Sequence, residues 1–477
     1  VTRDAASPPP FGRSVPGNRW DLVDSREATE SASARSVSVI VAHFEQQTEL
    51  DRTLAALARQ THPAHLLEVI VVDDGSREPP VVPSGVRLLV QENLGFRAGA
   101  ARNLGARNAT GEILCFLDAD TSPEPEYVTR MAALPSVLPE AVVAGHRKHA
   151  DFAGVDAQAP VEVAGPAREL PEPAWLAAAY RDSGNLLEAD NRSYRFVIGA
   201  VFSCTRWFFA ETAGFDEDFL GYGGEDWEWS HRAWLAGAVL AHEPSAVAWH
   251  DGPDWAGRSA EDTNRQEQKN RETLMLAQKI GVDGSRPLAL RTAATDVVVV
   301  LHSAPSAGAA FVCVDTLLAQ LPHATVVVPA EVHPVFGPDQ RVVPATGQLP
   351  RGRVRIDLSA AVHFGETGQA MAESESESEP EPKPKPKSEP EPESESEPSG
   401  IGESALQCAV AQVGVSDLGT VRLGPHVVVS SERALRRAER WGPKAGWRTA
   451  QGSDGSITVI PGDVSVAAHL GGWLALG

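Results

Sequence analysis

The sequence predicts an α/β protein built on a mostly parallel sheet, followed by a degenerate second copy of the same α/β unit. Three observations carry this. Short β-branched runs alternate with stretches of helical periodicity, two of those runs end abruptly in acidic residues, and the order of the first half recurs in the second without its acids. At 477 residues the chain also exceeds what one core usually holds, so two folded units plus tails are expected.

Residues 1–36 are rich in Pro, Ser, Ala and charge and lack the apolar core of an export signal, which predicts a flexible N-terminal tail. Val37 to Ala42 then forms a continuous β-branched run, as in a strand buried on both faces. A helix is expected from about Thr48 to Arg59, where Leu50, Leu54 and Leu57 recur at helical spacing. Val69 to Val72 gives a second buried strand, ending in Asp73-Asp74-Gly75-Ser76. A helix over Gly99 to Ala106 leads to the strand Ile113 to Leu117, which runs into Asp118-Ala119-Asp120. Carboxylates therefore stand at the carboxyl edge of a parallel sheet, where open α/β folds place ligands. Further on come a strand over Phe196 to Ser203 and a helix near Arg206 to Ala213. Gly221-Tyr222-Gly223-Gly224-Glu225-Asp226 opens a helix through Trp234, and the strand Ala246 to Trp249 ends at His250. These elements define a first domain over residues 37–285.

Residues 286–477 read as a degenerate second domain. From Val297 the order strand, His, helix, strand repeats that from Ser38, with Pro329-Ala330 in place of the acidic pair. Val354 to Ala361 can be laid over Ile113 to Asp120, which puts Ser359 and Ala361 where Asp118 and Asp120 stand. The stretch from Gly424 similarly resembles that from Gly199. An acidic Glu/Ser/Pro loop at 372–400 interrupts this copy and has no apolar face to bury, so disorder is predicted. Acceptor recognition, homodimer formation or simple support are the roles open to such a domain.

The formal net charge of −22 argues against a nucleic-acid partner, because the sequence supplies no basic stripe for phosphate neutralisation. No stretch approaches the roughly 18 apolar residues of a membrane span, leaving peripheral membrane contact as the available kind. Cys115, Cys204, Cys313 and Cys408 are widely spaced without a Cys-x-x-Cys pair, as in core thiols of a reducing, cytoplasmic compartment. The leading Val, with abundant Ala, Arg and Gly and sparse Lys, suggests a bacterial chain of high-GC composition.

Two carboxylates one residue apart at a strand end converge on a hard cation such as Mg²⁺ or Mn²⁺ and leave positions for phosphate oxygens. Asp118 and Asp120 fit that requirement, although an Asp-x-Asp alone is common in turns, where it caps helices. Here it follows Asp-Asp-Gly-Ser and the stretch Asn93-Leu-Gly-Phe-Arg-Ala-Gly-Ala-Ala-Arg-Asn-Leu-Gly105 in order. Together these residues resemble the family-two glycosyltransferases of the GT-A fold, the nucleotide-diphospho-sugar transferase class of Rossmann-like domains. Gly214 to Asp226 is similar to the corresponding motif of β-1,4-galactosyltransferases, chondroitin-polymerase domains and polypeptide N-acetylgalactosaminyltransferases. The resemblance covers roughly Val37 to Lys279.

The resemblance implies a metal-dependent, inverting transfer of a sugar from a UDP-sugar to an acceptor hydroxyl, with Mn²⁺ or Mg²⁺ as cofactor. By it, Asp74, with Asp73, recognises uracil and ribose, while Ala42, His43 and Phe44 line the base pocket. Phe96, Arg97 and Arg102 handle base and diphosphate, Asp118 contacts the donor, and His250 joins Asp118 and Asp120 on the metal. Those families often carry Pro-Tyr-Asn or Pro-Phe-Arg where this chain has Ala42-His43-Phe44-Glu45. An acceptor hydroxyl needs its proton removed as it attacks; Asp226 is the implied base, with Glu225 orienting acceptor or donor sugar and Tyr222 offering a platform for a sugar face. The plainer reading of Glu225 and Asp226 is that acids favour the positive N-terminus of a helix. A sugar-1-phosphate nucleotidyltransferase would need a Gly-rich basic loop after the first strand, which His43-Phe44-Glu45-Gln46-Gln47 is not. A non-catalytic nucleotide-sugar-binding scaffold is the alternative of a different class, and the intact acids of the first half weigh against it.

Overall fold

The computed structural model describes residues 7–221, 223–253, 265–290, 292–347, 349–365, 403–454 and 456–471. The first unit runs α1 (Ser25–Ala32), β1 (Val37–His43), α2 (Gln47–Leu57), β2 (Leu67–Asp73), β3 (Arg87–Val90), α3 (Ala98–Asn108), β4 (Ile113–Asp118), β5 (Thr121–Pro123) and α4 (Tyr127–Val137). It continues through β6 (Ala141–Ala150), α5 (Val161–Ala167), β7 (Glu169–Leu170), α6 (Ala174–Asp182), β8 (Val201–Thr205), α7 (Arg206–Glu211), α8 (Glu225–Leu235), β9 (Val239–Asp251) and α9 (Arg265–Lys279).

β1 is the axis of this unit. It pairs in parallel with β2 and β4, in a register that sets His43 opposite Asp73 and Ala42 opposite Asp118, so the acidic strand ends share one edge. Side chains alternate along a strand, and both faces of β1 are covered. Val37, Val39 and Val41 pack with Leu50, Leu54 and Leu57 of α2 and with α4. Ile40 faces the other way, with Ile70, Val72 and Ala101. Each such side chain contributes roughly 1.5–3 kcal/mol by leaving water, which is why a run of β-branched residues is stable here and nowhere nearer the surface. The full order is β3-β2-β1-β4-β8-β6-β9-β5, with β7 beside β6.

Two sequence expectations change. The segment before β1 is no tail over its described part: Val15, Ala28 and Ala32 are buried in the core beside α4. Asn18 donates to the carbonyls of Leu186 and Leu240 at 2.6 and 2.8 Å and accepts from the Leu240 N–H at 2.8 Å, closing a ladder end that would otherwise be unpaired. The strand expected from Phe196 starts only at Val201, because Ser193–Phe196 closes a 3-10 turn.

The second unit runs β10 (Val297–Leu301), α10 (Ala307–Gln320), β11 (Thr325–Val328), β12 (Val342–Pro344), β13 (Val354–Leu358), β14 (Val362–Phe364), α11 (Ala405–Gln412), β15 (Leu418–Leu423), β16 (Val427–Ser431), α12 (Glu432–Trp441), β17 (Arg448–Gly452), β18 (Ile457–Val459) and α13 (Val466–His469). Its sheet order, β12-β11-β10-β13-β16-β15-β17, matches the run β3-β2-β1-β4-β8-β6-β9 of the first, without counterparts of β5 and β7 in that sheet. The directions match as well: β13 runs antiparallel to β16 as β4 does to β8, and β15 pairs antiparallel with β16 and parallel with β17 as β6 does with β8 and β9. The acidic stretch at 372–400 lies outside the described residues. Cys115, Cys204 and Cys313 are buried free thiols, and burial pushes Cys115 up to about 12 and Cys313 to about 11. No helix among the described residues is long and apolar enough to cross a membrane.

The units are joined by an unusual contact. Arg433, Arg437 and Arg440 recur on one face of α12 and are directed into the first unit. Arg437 donates to the carbonyls of Gly237, Val15 and Gly17 at 2.7, 2.7 and 2.6 Å. Arg433 lies 3.2 Å over the Trp234 ring and donates to the Ala238 carbonyl. Arg440 reaches Glu140 at 2.6 Å and the Ala236 carbonyl at 2.8 Å. Residues 236–238 follow the end of α8, whose last carbonyls have no partner within the helix and whose negative pole favours cations. The expected homodimer through the second domain gains no support, because this face of α12 is buried within the chain. Replacing Arg437 by Met leaves Glu140 and several buried carbonyls undercompensated, and should lower unfolding free energy by about 3 kcal/mol in urea titrations. An unchanged midpoint would show that α12 is not needed to hold the first unit.

Candidate active site

The carboxyl ends of β1 and β4 and the end of β9 enclose a cleft of about 460 Å³ whose wall includes Ala42, His43, Phe44, Asp74, Asp118 and Asp120. Phe96 and His250 also line it. Phe44 and Phe96 are 44% and 46% exposed, two apolar rings open to a flat ligand.

Asp74 keeps its place through Gln91 Nε2 at 2.6 Å and the Arg97 backbone N–H at 2.7 Å. Asp73 does not reach the cleft: it is fully buried and accepts from the Ser76 N–H and hydroxyl at 3.0 and 2.6 Å, tying the Asp-Asp-Gly-Ser turn. His43 completes that turn. Its Nε2 accepts from the Gln46 N–H at 3.2 Å, so Nδ1 carries the proton and donates to Asp73 at 2.9 Å. Arg97 is likewise displaced from its expected role, because its guanidinium turns to the Glu92 carbonyl at 2.6 Å.

Asp120 and His250 face each other, Oδ2 to Nε2, at 3.5 Å. His250 Nδ1 lies 3.2 Å from the Gly252 carbonyl, which can only accept, so that nitrogen carries a proton and Nε2 is the atom turned to the carboxylate. A proton or a metal cation satisfies such a facing pair. An imidazole nitrogen with a carboxylate suits a divalent metal such as Mn²⁺, so these residues fit the implied ion. Burial pushes the Asp120 carboxyl up, with His250 acting against it. Asp118 does not join them as a ready third ligand, since its Oδ1 accepts from Arg102 at 2.6 Å. No three His, Cys, Asp or Glu side chains among the described residues form a preassembled metal cluster.

A second cleft of about 400 Å³ opens beside the first, at the start of α8. Gly224 caps that helix with φ of +94°, and a Cβ there would meet Phe219 and Glu272 at 3.0 and 3.1 Å. Both a left-handed backbone and a close approach thus demand glycine. Glu225 and Asp226 line this cleft. Asp226 accepts from the Gly199 N–H at 2.9 Å and the Trp227 N–H at 2.8 Å, and burial raises its carboxyl. Glu225 accepts from Arg102 at 2.8 Å through Oε1, while its buried Oε2 has no partner among the described residues. Burial first, then the Asp226 charge, pushes Glu225 up to about 7 against the pull of Arg102. Arg102, 3% exposed, therefore bridges the two clefts rather than waiting on a ligand. Tyr222 lies outside the described residues.

Sequence reasoning missed Arg147, Trp175, Lys269 and Glu272, which also line the second cleft. The signal for Arg147 was present: β6 changes from Ala-Val-Val-Ala-Gly to His-Arg-Lys-His, and an apolar strand that turns basic near its carboxyl end is suited to an anion.

Residues 38–162 match the family Glycosyl transferase family 2, and residues 189–246 match the N-terminal domain of galactosyltransferase. The chain is similar to the hyaluronan synthase of Pasteurella multocida, with 30% identity over 51% of this chain and 27% of that one. It is also similar to the validoxylamine A glucosyltransferase of Streptomyces hygroscopicus subsp. limoneus, with 32% identity over 41% of this chain and 47% of that one. The chain spans less than half the length of either relative. A solved mannosyltransferase of Pyrobaculum calidifontis, in complex with GDP-Man and Mn²⁺, overlaps 57% of this chain and 68% of its own at 19% identity, with a TM-score of 0.37; an overlap that loose carries nothing over to this chain's ligands.

Because Glu225 is raised from 4.5 to about 7 on folding, the folded chain binds more protons than the unfolded one between those values. Its stabilising contribution is present below pH 4.5 and is lost as pH rises through about 7. Urea titrations should show the wild type losing stability relative to Glu225→Gln between about pH 5 and about pH 7; parallel pH profiles would mean that the carboxyl is not raised.

Proposed function

The chain carries a family 2 glycosyltransferase segment at 38–162 and a galactosyltransferase-type segment at 189–246; from this premise we propose that it is a metal-dependent, inverting glycosyltransferase moving a sugar from a UDP-sugar to an acceptor hydroxyl. One observation carries the reading. The cleft holding the Asp120–His250 pair and the cleft holding Glu225 and Asp226 are contiguous, sharing Phe96, Asp118 and Arg147. A donor in the first and an acceptor in the second meet at that shared wall.

Asp74 and the Phe44 and Phe96 rings suit a nucleoside, the carboxylate accepting hydrogen bonds while the rings cover its apolar faces. A divalent cation, when bound, neutralises charge on the departing diphosphate, and Asp120 and His250, with the free oxygen of Asp118, are the residues to hold it. Asp226 is the base. Its carboxylate is fixed by two backbone N–H groups and made more basic by burial, and each oxygen keeps a lone pair for the acceptor proton. Attack from the side of α8, opposite the nucleotide, inverts the anomeric carbon. Glu225 offers Oε2 to a sugar hydroxyl, the donor that this buried oxygen lacks among the described residues. The buried free thiols support a reducing, cytoplasmic setting.

The test is donor hydrolysis across a panel of nucleotide-sugars with Mn²⁺ and with EDTA. One UDP-sugar should be turned over, in a metal-dependent way. Asp226→Asn should lower transfer roughly 10²- to 10⁴-fold with UDP binding retained, and Asp120→Ala should abolish metal-dependent binding. Full turnover by either variant would remove the role assigned to that residue.

A further inference from the structure

We propose that Arg147 receives the diphosphate of the donor, at the wall shared by the two clefts; the inference rests on the nucleotide-sugar reading above. The two arginines that the family resemblance offered for this task are engaged elsewhere. Arg97 points its guanidinium to the Glu92 carbonyl, and Arg102 is buried between Asp118 and Glu225. Among the described residues, Arg147 is the one arginine or lysine that lines both clefts. The rest of the donor wall is acidic, with Glu45, Asp74, Asp118 and Asp120. A diphosphate entering such a wall meets repulsion unless cations are placed within it.

The strand register gives the placement. β6 runs parallel to β9 with Arg147 opposite Ala248 and His149 opposite His250. Residues two apart share a face, and the His149 ring lies 4.9 Å from that of His250. Arg147 is therefore on the same face as the Asp120–His250 pair, one pleat repeat away, roughly 7 Å along the strand.

A guanidinium at this point suits the chemistry. During transfer the bond from the anomeric carbon to the β-phosphate oxygen breaks, and its electron pair stays on that oxygen. The acceptor oxygen forms the new bond and its proton passes to Asp226. Charge grows on the diphosphate, where a permanently charged planar fork matches two phosphate oxygens at once. Lys supplies the charge but not the fork.

The experiment is calorimetric titration of the full chain with UDP and with uridine in Mn²⁺, comparing wild type, Arg147→Gln and Arg147→Lys. UDP affinity should fall roughly 10- to 100-fold in the Gln variant and less in the Lys variant, while uridine affinity stays at the wild-type value in both and certifies the fold. Wild-type UDP affinity in a variant that still binds uridine overturns the assignment. So does equal loss of UDP and uridine binding in both variants, which would make Arg147 part of the wall rather than a phosphate ligand. A wild type that binds neither removes the nucleotide-sugar reading, and this inference with it, a result distinct from the other two.

Discussion

The arrangement of both clefts depends on one buried cation. Arg102 leaves α3 and splits its guanidinium between Asp118 at the end of β4 and Glu225 at the start of α8. Those carboxylates are more than a hundred residues apart in sequence, and nothing else in the described residues joins the strand edge to the helix start so directly. A guanidinium taken from water is stable only if its donors are satisfied, and removing a single partner from such a pair costs about 3–5 kcal/mol. The distance between the two clefts is thereby set by the span of one side chain. The small residues before Arg102 follow from this: a Cβ on Gly99 would sit 3.3 Å from the Glu225 Cγ, so the first turn of α3 can approach α8 only without one.

The other end of α8 is held just as firmly, by the second unit. In strand order α12 occupies the place that α7 holds in the first unit, since each follows the strand paired antiparallel to β4 or β13. α7 buries Phe208 and Phe209 in its own core. α12 instead presents arginines, and the apolar side chain it buries is Ala434. Burial pushes Arg437 down to about 10, which still leaves it charged at neutral pH, and the carbonyls of residues 236–238 supply the compensation that a packed apolar face would have made unnecessary. The copy that lost its strand-end acids is thus the one whose helix braces the helix carrying Glu225 and Asp226. A support role for the degenerate domain has a physical basis in these contacts.

How much of this was legible follows from what each signal encodes. Hydrophobic periodicity reports which faces are buried, so β1, α2, β2, α3 and β4 were readable, as was the echo in β10 to β13. Acids at strand ends were readable because a carboxylate directly after a buried apolar run is costly to keep out of water, and so marks the edge where the sheet opens to solvent or a ligand. Periodicity is silent about which charge meets which. Asp73 and Asp74 are adjacent in the sequence, yet one is buried beneath the turn and the other lines the cleft, and the difference lies in His43 and Ser76 being within reach of only one of them. Arg97 and Arg102 were both assigned to base and diphosphate by the resemblance, and their partners lie far off in the fold or in the backbone. The segment carrying Val15 and Asn18 failed as a prediction for a related reason: its order comes from hydrogen bonds to residues 186 and 240, which no local composition can show.

Under the proposed transfer, the same burial that makes Arg102 necessary also suits the two acids of α8 to different tasks. A transferase at neutral pH needs one carboxylate able to take a proton and benefits from a second group that can hold a hydroxyl without competing for that proton. Glu225 is the more enclosed, 6% exposed, and its shift to about 7 makes its protonated form available, so that Oε2 can donate to a sugar oxygen as well as accept. Asp226 is half-buried, and its two backbone hydrogen bonds favour the charged form against desolvation. It is therefore the more open member of the pair, and under the proposed transfer the one that faces the acceptor. If Glu225 were the base, Arg102 would hold its proton-accepting charge in place and oppose the transfer; with Asp226 as the base, the negative charge lost there relieves the raised Glu225 beside it, and the pair becomes easier to bury as the reaction proceeds.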